Sequence, residues 1–164
     1  METTTSTSAA QIIDKSQLLT HWLGHRKVTR RTLEAFPEKE LFEFSIGGMR
    51  TFAQLMKEML SMGAPTAIGL ATDKWEALDE EKPELTTKAD LLASWDKSTD
   101  LIEKYWDQIT LEKFQEKIVA FGQYEGTGYS TLFYIIDNEI HHRAQGFVYL
   151  RALGITPPNF WEQY

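Results

Sequence analysis

The chain contains no cysteine. That excludes disulfides, thiolate metal sites and cysteine nucleophiles at once. No uninterrupted apolar run is long enough to span a bilayer. The opening METTTSTSAAQ lacks the basic and apolar regions of a secretory signal. Together these absences predict a cytoplasmic protein with no membrane partner. Positive charge is also short: 17 Lys and Arg face 24 Asp and Glu, a formal net charge of -7. Nucleic-acid binders draw much of their affinity from neutralising phosphates, so no nucleic-acid partner is expected. The one basic cluster, HRKVTRR at residues 25–31, lies inside a helical pattern and reads as a solvated helix face. Strand signals are few, and no internal repeat is visible.

What remains is enough to build a core. The 164 residues are 42% hydrophobic and 12% aromatic, which suits one domain of ordinary size. Residues 1–8 read as a flexible, solvated tail and 9–164 as a single domain. A long helix is predicted over 9–36, where Trp22, Leu23, Leu33 and Phe36 keep helical spacing and Pro37 stops the run. EKELFEFSIGGM reads as a connector. A second helix runs from about Met49 to at least Met62 on the stripe Phe52, Leu55, Met59 and Met62, and Pro65 is expected to kink or interrupt it. The acidic stretch DKWEALDEEKPEL reads as a loop. A third helix follows a Thr87/Asp90 capping box, with Leu91, Trp95, Ile102 and Tyr105 as its contacts. Residues 109–128 read as an irregular crossover or a short strand pair. A fourth helix spans about Ser130 to Leu153 and ends on Gly154. The tail aromatics Phe160, Trp161 and Tyr164 are expected to pack back on the body. Trp75, Trp95 and Trp106 read as core, with a cleft or an interface as the other use. The predicted fold is all-α, a four-helix bundle with long crossover connections.

The polar residues of the last helix raise the functional question. In DNEIHHRAQG, two adjacent histidines sit about 100° apart on a helix, so one ion cannot take both. Asn138, His142, Gln145 and Tyr149 share one face, flanked by Tyr134 and Ile135. His142 therefore points into the core, His141 to its edge, and Arg143 nearly opposite. On the second helix Glu58 lies about 80° from the centre of the apolar stripe, at the boundary of a cleft. Read blandly, Glu58 is a solvated boundary glutamate and His142 a hydrogen-bonded core histidine. In THWLGHR, His21 and His25 are four apart, a spacing that lets two imidazoles share a cation. No acid follows in the HExxH manner, and His25 reads better as an accessory group of the His142 cleft.

Two segments carry a family resemblance: GGMRTFAQLMKEML, and EIHHRAQGFVYLRALGITPP near the end. They resemble the DinB family (DinB/YfiT-like metalloenzymes), from the first helix to the double proline. The resemblance implies a four-helix bundle, a homodimer and a divalent metal, nickel or zinc, on three histidines. One comes from the second helix and two from an HxxxH on the last. Some relatives are thiol S-transferases or isomerases using bacillithiol, mycothiol or glutathione. The family name refers to DNA-damage induction, not to DNA binding. Mapped onto this chain, the second-helix position falls on Glu58, the first HxxxH position on Asn138, and the last histidine is kept as His142.

Two readings follow. In one, Glu58, Asn138 and His142 hold a divalent ion for a thiol transferase or hydrolase acting on a small molecule, oriented by Gln145, Tyr149 or Tyr134, with His25 or His141 accessory. In the other there is no cofactor: Glu58 pairs with His142, Asn138 bonds to either, and a dimeric, stress-associated bundle binds a small ligand.

Overall fold

The computed structural model describes residues 12–164. The expected tail, 1–8, and residues 9–11 of the first predicted helix lie outside the described residues. Helix α1 covers Lys15–Ala35 behind a capping box on Asp14. A short helix α2 covers Glu38–Glu43, within the stretch expected to be a plain connector. Helix α3 covers Phe52–Thr72, helix α4 covers Lys88–Trp106 and helix α5 covers Gly128–Ala152. Thr51, Thr87 and Thr127 cap the last three, each accepting from the backbone N–H three residues on. Helix α3 runs through Pro65 without a break. Its packing on two neighbours outweighs the one backbone bond the proline removes.

Helix α1 packs on α4 and α5, and so does α3. The four long helices therefore form a square, with α1 and α3 on one diagonal. The chain covers the α4–α5 diagonal by a crossover containing a 3₁₀ turn and two strands. Strand β1, Lys117–Ala120, pairs antiparallel with β2, Tyr124–Thr127. This realises the strand-pair option for 109–128. Among the described residues the bundle is all-α but for this hairpin. Among the described residues, no helix is long and apolar enough to cross a membrane.

The core has two apolar ends. One contains Trp22, Met62, Ile102, Trp106, Leu132 and Ile135. The other contains Leu33, Phe52, Leu55, Trp95, Tyr149 and Leu150. Between them the helices contribute polar side chains at one level: Arg26 and Thr29, Glu58, Ser98, and Glu139, His142 and Arg143, all buried. A polar layer inside a bundle costs stability unless each group finds a partner. Its bonds are therefore the place to look for function.

Three expectations need correction. The cluster HRKVTRR is not a solvated face: His25, Arg26 and Thr29 are buried, and only Lys27 is fully outward. Arg143 does not point away from the core but is buried at 4% exposure. The tail aromatics are exposed, at 59% for Phe160, 65% for Trp161 and 81% for Tyr164. The tail docks through polar contacts instead: Arg31 pairs with Glu162, and Gln163 backbone lies against Gly24.

Candidate functional site

Glu58 on α3 faces Asn138 and His142 on α5. The i, i+4 spacing of the latter two puts them one turn apart on the same face. His142 Nε2 lies 3.0 Å from Glu58 Oε1, and Asn138 Nδ2 donates to the same oxygen at 3.0 Å. Asn138 Nδ2 and His142 Nε2 are 3.2 Å apart. The Arg50 guanidinium pairs with the other oxygen, Glu58 Oε2, and also reaches Glu80 at 3.9 Å. Glu58 is only 8% exposed, so it is not the solvated boundary glutamate of the bland reading. Burial pushes its carboxyl up. The bonds from His142, Asn138 and Arg50 outweigh burial and hold it below the ordinary glutamate value.

The carboxylate decides the protonation pattern. With the imidazole proton on Nε2, His142 and Asn138 both donate to Glu58. The opposite tautomer would set a lone pair against a carboxylate. The far atoms of both side chains, Asn138 Oδ1 and His142 Nδ1, are buried without partners among the described residues.

A divalent ion would need three electron-pair donors where these atoms meet. The spacing of 3.0–3.2 Å resembles the edge of a coordination octahedron, about 3.0 Å for bonds of about 2.1 Å. The chemistry does not match. Asn138 presents its amide nitrogen, His142 presents N–H, and the Arg50 guanidinium occupies Glu58 Oε2. An ion would require the amide to turn over, the imidazole to change tautomer and the guanidinium to be outcompeted. An amide oxygen is in any case a weak ligand beside imidazole. Among the described residues, no group of three or more His, Cys, Asp or Glu is placed to hold a metal. As arranged, the three residues do not fit a divalent cation.

Glu58 also lines a cavity of about 310 Å³ between α3, the start of α5 and the hairpin. Met62, Leu78, Phe121 and Ile135 form its apolar walls, and Tyr124 and Tyr134 its aromatic rim. Glu80 and Glu125 stand with Glu58 on the lining. The wall at Phe121 is built at a cost. Phe121 and Gly122 form the hairpin turn with φ of 54° and 72°, and Gln123 N–H donates to Ala120 O at 3.1 Å. A left-handed phenylalanine is uncommon. Its ring is held on Trp75, with centroids 5.3 Å apart, and Trp75 lies so close to Gly69 that a β-carbon there would collide with the indole.

The other candidate residues lie elsewhere. Tyr134 does line the cavity. Tyr149 is fully buried and donates to Arg50 O at 2.8 Å, so it supports Arg50 and does not face the cleft. His141 is exposed and bonded to Gln145 at 2.9 Å, leaving both outside the cluster. His25 belongs to a second network on the face of α5 turned toward α1. Arg143 donates to His25 O at 3.0 Å and lies 3.1 Å from His25 Nδ1. The His25 proton is thereby placed on Nε2, which points at His21 Nε2, 3.2 Å away. His21 Nδ1 in turn meets the Tyr164 hydroxyl at 3.0 Å. Burial, Arg143 and His21 lower the His25 pKa to about 4. Neither histidine of this pair joins the Glu58 cluster.

Sequence reasoning missed Arg50 and Glu139. Glu139 is buried at 3% exposure, accepts from Thr29 Oγ1 at 2.7 Å and pairs with Arg26 at 3.8 Å. Burial raises its pKa against the pull of Arg26, Thr29 and Arg143. The signal was present: Leu132, Ile136, Glu139, Arg143 and Leu150 share one helical stripe.

Comparison with known proteins agrees with this architecture. The DinB family model matches residues 1–163. YjoA, an uncharacterised protein of Bacillus subtilis strain 168, is 26% identical over 153 residues, covering 90% of this chain and 96% of YjoA. The crystal structure of YjoA superposes with a TM-score of 0.70, over 90% of this chain and 98% of that one. A DinB-like protein from Bacillus cereus ATCC 10987, 17% identical, superposes with a TM-score of 0.71 over 88% of this chain and 95% of the other.

Proposed function

The chain belongs to the DinB family, and from that premise we propose that it is a metal-free variant that binds a small organic molecule in the cleft ending on Glu58. The observation that carries this reading is the state of the Glu58 carboxylate. Both of its oxygens take protein donors, His142 and Asn138 on one and Arg50 on the other. Such a carboxylate stays ionised and makes a weak general base. It serves as a fixed anionic floor beneath an apolar cavity, the usual composition of a ligand site. The thiol-transferase or hydrolase chemistry implied by the family resemblance would need an ion on the same three residues, and their donor set argues against it. Homodimeric assembly is part of the proposal. The exposed, packed pair Tyr129 and Phe133, with ring centroids 5.4 Å apart, offers apolar surface for it.

The test is metal content of untagged protein, before and after equilibration with zinc, nickel or manganese, with Glu58→Ala and His142→Ala alongside. Sub-stoichiometric metal in all three proteins is expected. Near-stoichiometric metal in the parent, lost in both variants, would overturn the reading and restore the metalloenzyme.

A further inference from the structure

We propose that the ligand of this cleft is an organic cation, an alkyl- or arylalkylammonium with an apolar body. The inference rests on the cleft being a small-molecule site, and it adds the chemical class. Three features of the cavity converge on it. First, its walls are apolar, so the ligand must carry a body that gains by leaving water. Second, Phe121, Tyr124 and Tyr134 line it, and aromatic faces attract cations. Phe121 keeps its ring on this wall at a left-handed position where glycine would sit without strain. Third, the side chains on the lining that carry charge at neutral pH are Glu58, Glu80 and Glu125, with no Lys, Arg or His among the described residues that line it.

Arg50 flanks the site through Glu58 and Glu80. One guanidinium against three carboxylates leaves the lining anionic. The donors on Glu58 do not exhaust it either. A carboxylate offers about four lone-pair positions, and His142, Asn138 and Arg50 take three of them. One remains for an ammonium N–H. An anionic ligand would meet the same carboxylates at close range in a partly desolvated cavity, where like charges repel strongly.

The experiment is calorimetric titration of the full chain with three probes of one shape: 2-phenylethylammonium, 2-phenylethanol and phenylacetate. They share the phenyl body and differ in charge, positive, neutral and negative. The cation is expected to bind about tenfold tighter than the alcohol, with phenylacetate weakest. Glu80→Gln changes an exposed side chain and should cut the cation's advantage about threefold while leaving the alcohol unchanged. Phe121→Leu keeps an apolar wall and should lower the cation's advantage as well. If the alcohol binds as tightly as the cation, the cleft is a small-molecule site and the cation proposal alone fails. If Glu80→Gln leaves the cation's advantage intact, the ammonium is not read here and the proposal also fails. If none of the three binds at millimolar concentration, the small-molecule reading falls with it.

Discussion

Glu58→Gln is the substitution that separates a charged floor from an incidental contact. The side chain keeps its shape and loses its charge. Two buried bonds, from His142 and Asn138, then fall on a neutral acceptor. Bonds to a charged partner contribute about 1.5–3 kcal/mol each, roughly twice a neutral bond. The amide oxygen of glutamine retains part of both. The ion pair with Arg50 adds little, because Arg50 is 45% exposed and solvent screens it. The expected loss is about 2–3 kcal/mol, which at about 2–4 °C per kcal/mol lowers the melting temperature by about 5–10 °C.

Urea unfolding at neutral pH, followed by circular dichroism, measures this as a lower midpoint at an unchanged slope. The pH dependence gives an independent check. The folded carboxyl sits below its ordinary value. Its contribution is therefore complete above the unfolded pKa of about 4.3 and is lost as pH falls through the folded pKa. The gap between parent and variant should close in that acid range. His25 titrates in both proteins and cancels in the difference. A loss under about 0.5 kcal/mol at neutral pH, or a gap that stays constant as the pH drops below about 4, would refute the account.

Three further outcomes follow from the polar layer. Asn138→His supplies a second imidazole at the 3.0–3.2 Å spacing already present and should create zinc uptake measurable by metal analysis; no uptake would mean that the three positions cannot share an ion. Glu139→Gln leaves the buried Arg26 and Arg143 without their carboxylate and should cost about 3–5 kcal/mol in urea unfolding, whereas the joint change Arg26→Met, Glu139→Leu and Arg143→Met, which leaves no buried charge unpaired, should cost far less. The His25 pKa of about 4 in the folded protein, against about 6.5 unfolded, makes stability fall as pH drops from about 6.5 to 4. His25→Gln should flatten the unfolding midpoint over that window, and an unchanged slope would show that His25 is not buried neutral.

The helices were legible because their signals are local. Capping at Thr87, the break at Pro37 and Gly154, and the Phe52–Met62 stripe depend on neighbours in sequence. The pairing of Glu58 with His142 was legible in part, since helical phase puts both toward the interior. Partner choice was less so. His25 and His142 both face inward, yet they meet different faces of α5 and bond to different arginine systems. Single-helix phase does not say which neighbour a buried side chain meets. Arg143 was read as pointing away from the core from helical phase alone, and Arg26 as part of a solvated basic face from the charge of HRKVTRR. Here Glu139, Thr29 and Thr99 offset the cost of burying them. The tail went the other way: aromatic composition predicted burial, but its docking runs through Glu162 and Gln163.

The three residues His141, His142 and Arg143 account for the odd look of the motif. Successive positions turn about 100°, and α5 sits at a corner of the square, in contact with both α1 and α3. His141 faces solvent, His142 reaches Glu58 on α3, and Arg143 reaches His25 and Thr29 on α1. The adjacent histidines are thus not a ligand pair, because consecutive helical residues serve different neighbours. The same geometry ties the two polar networks together. Any rotation of α5 that loosened Arg143 from α1 would also move His142 and Asn138 against Glu58. Arg143 and His142 thus tie one helix to α1 and to α3 at the same level of the bundle.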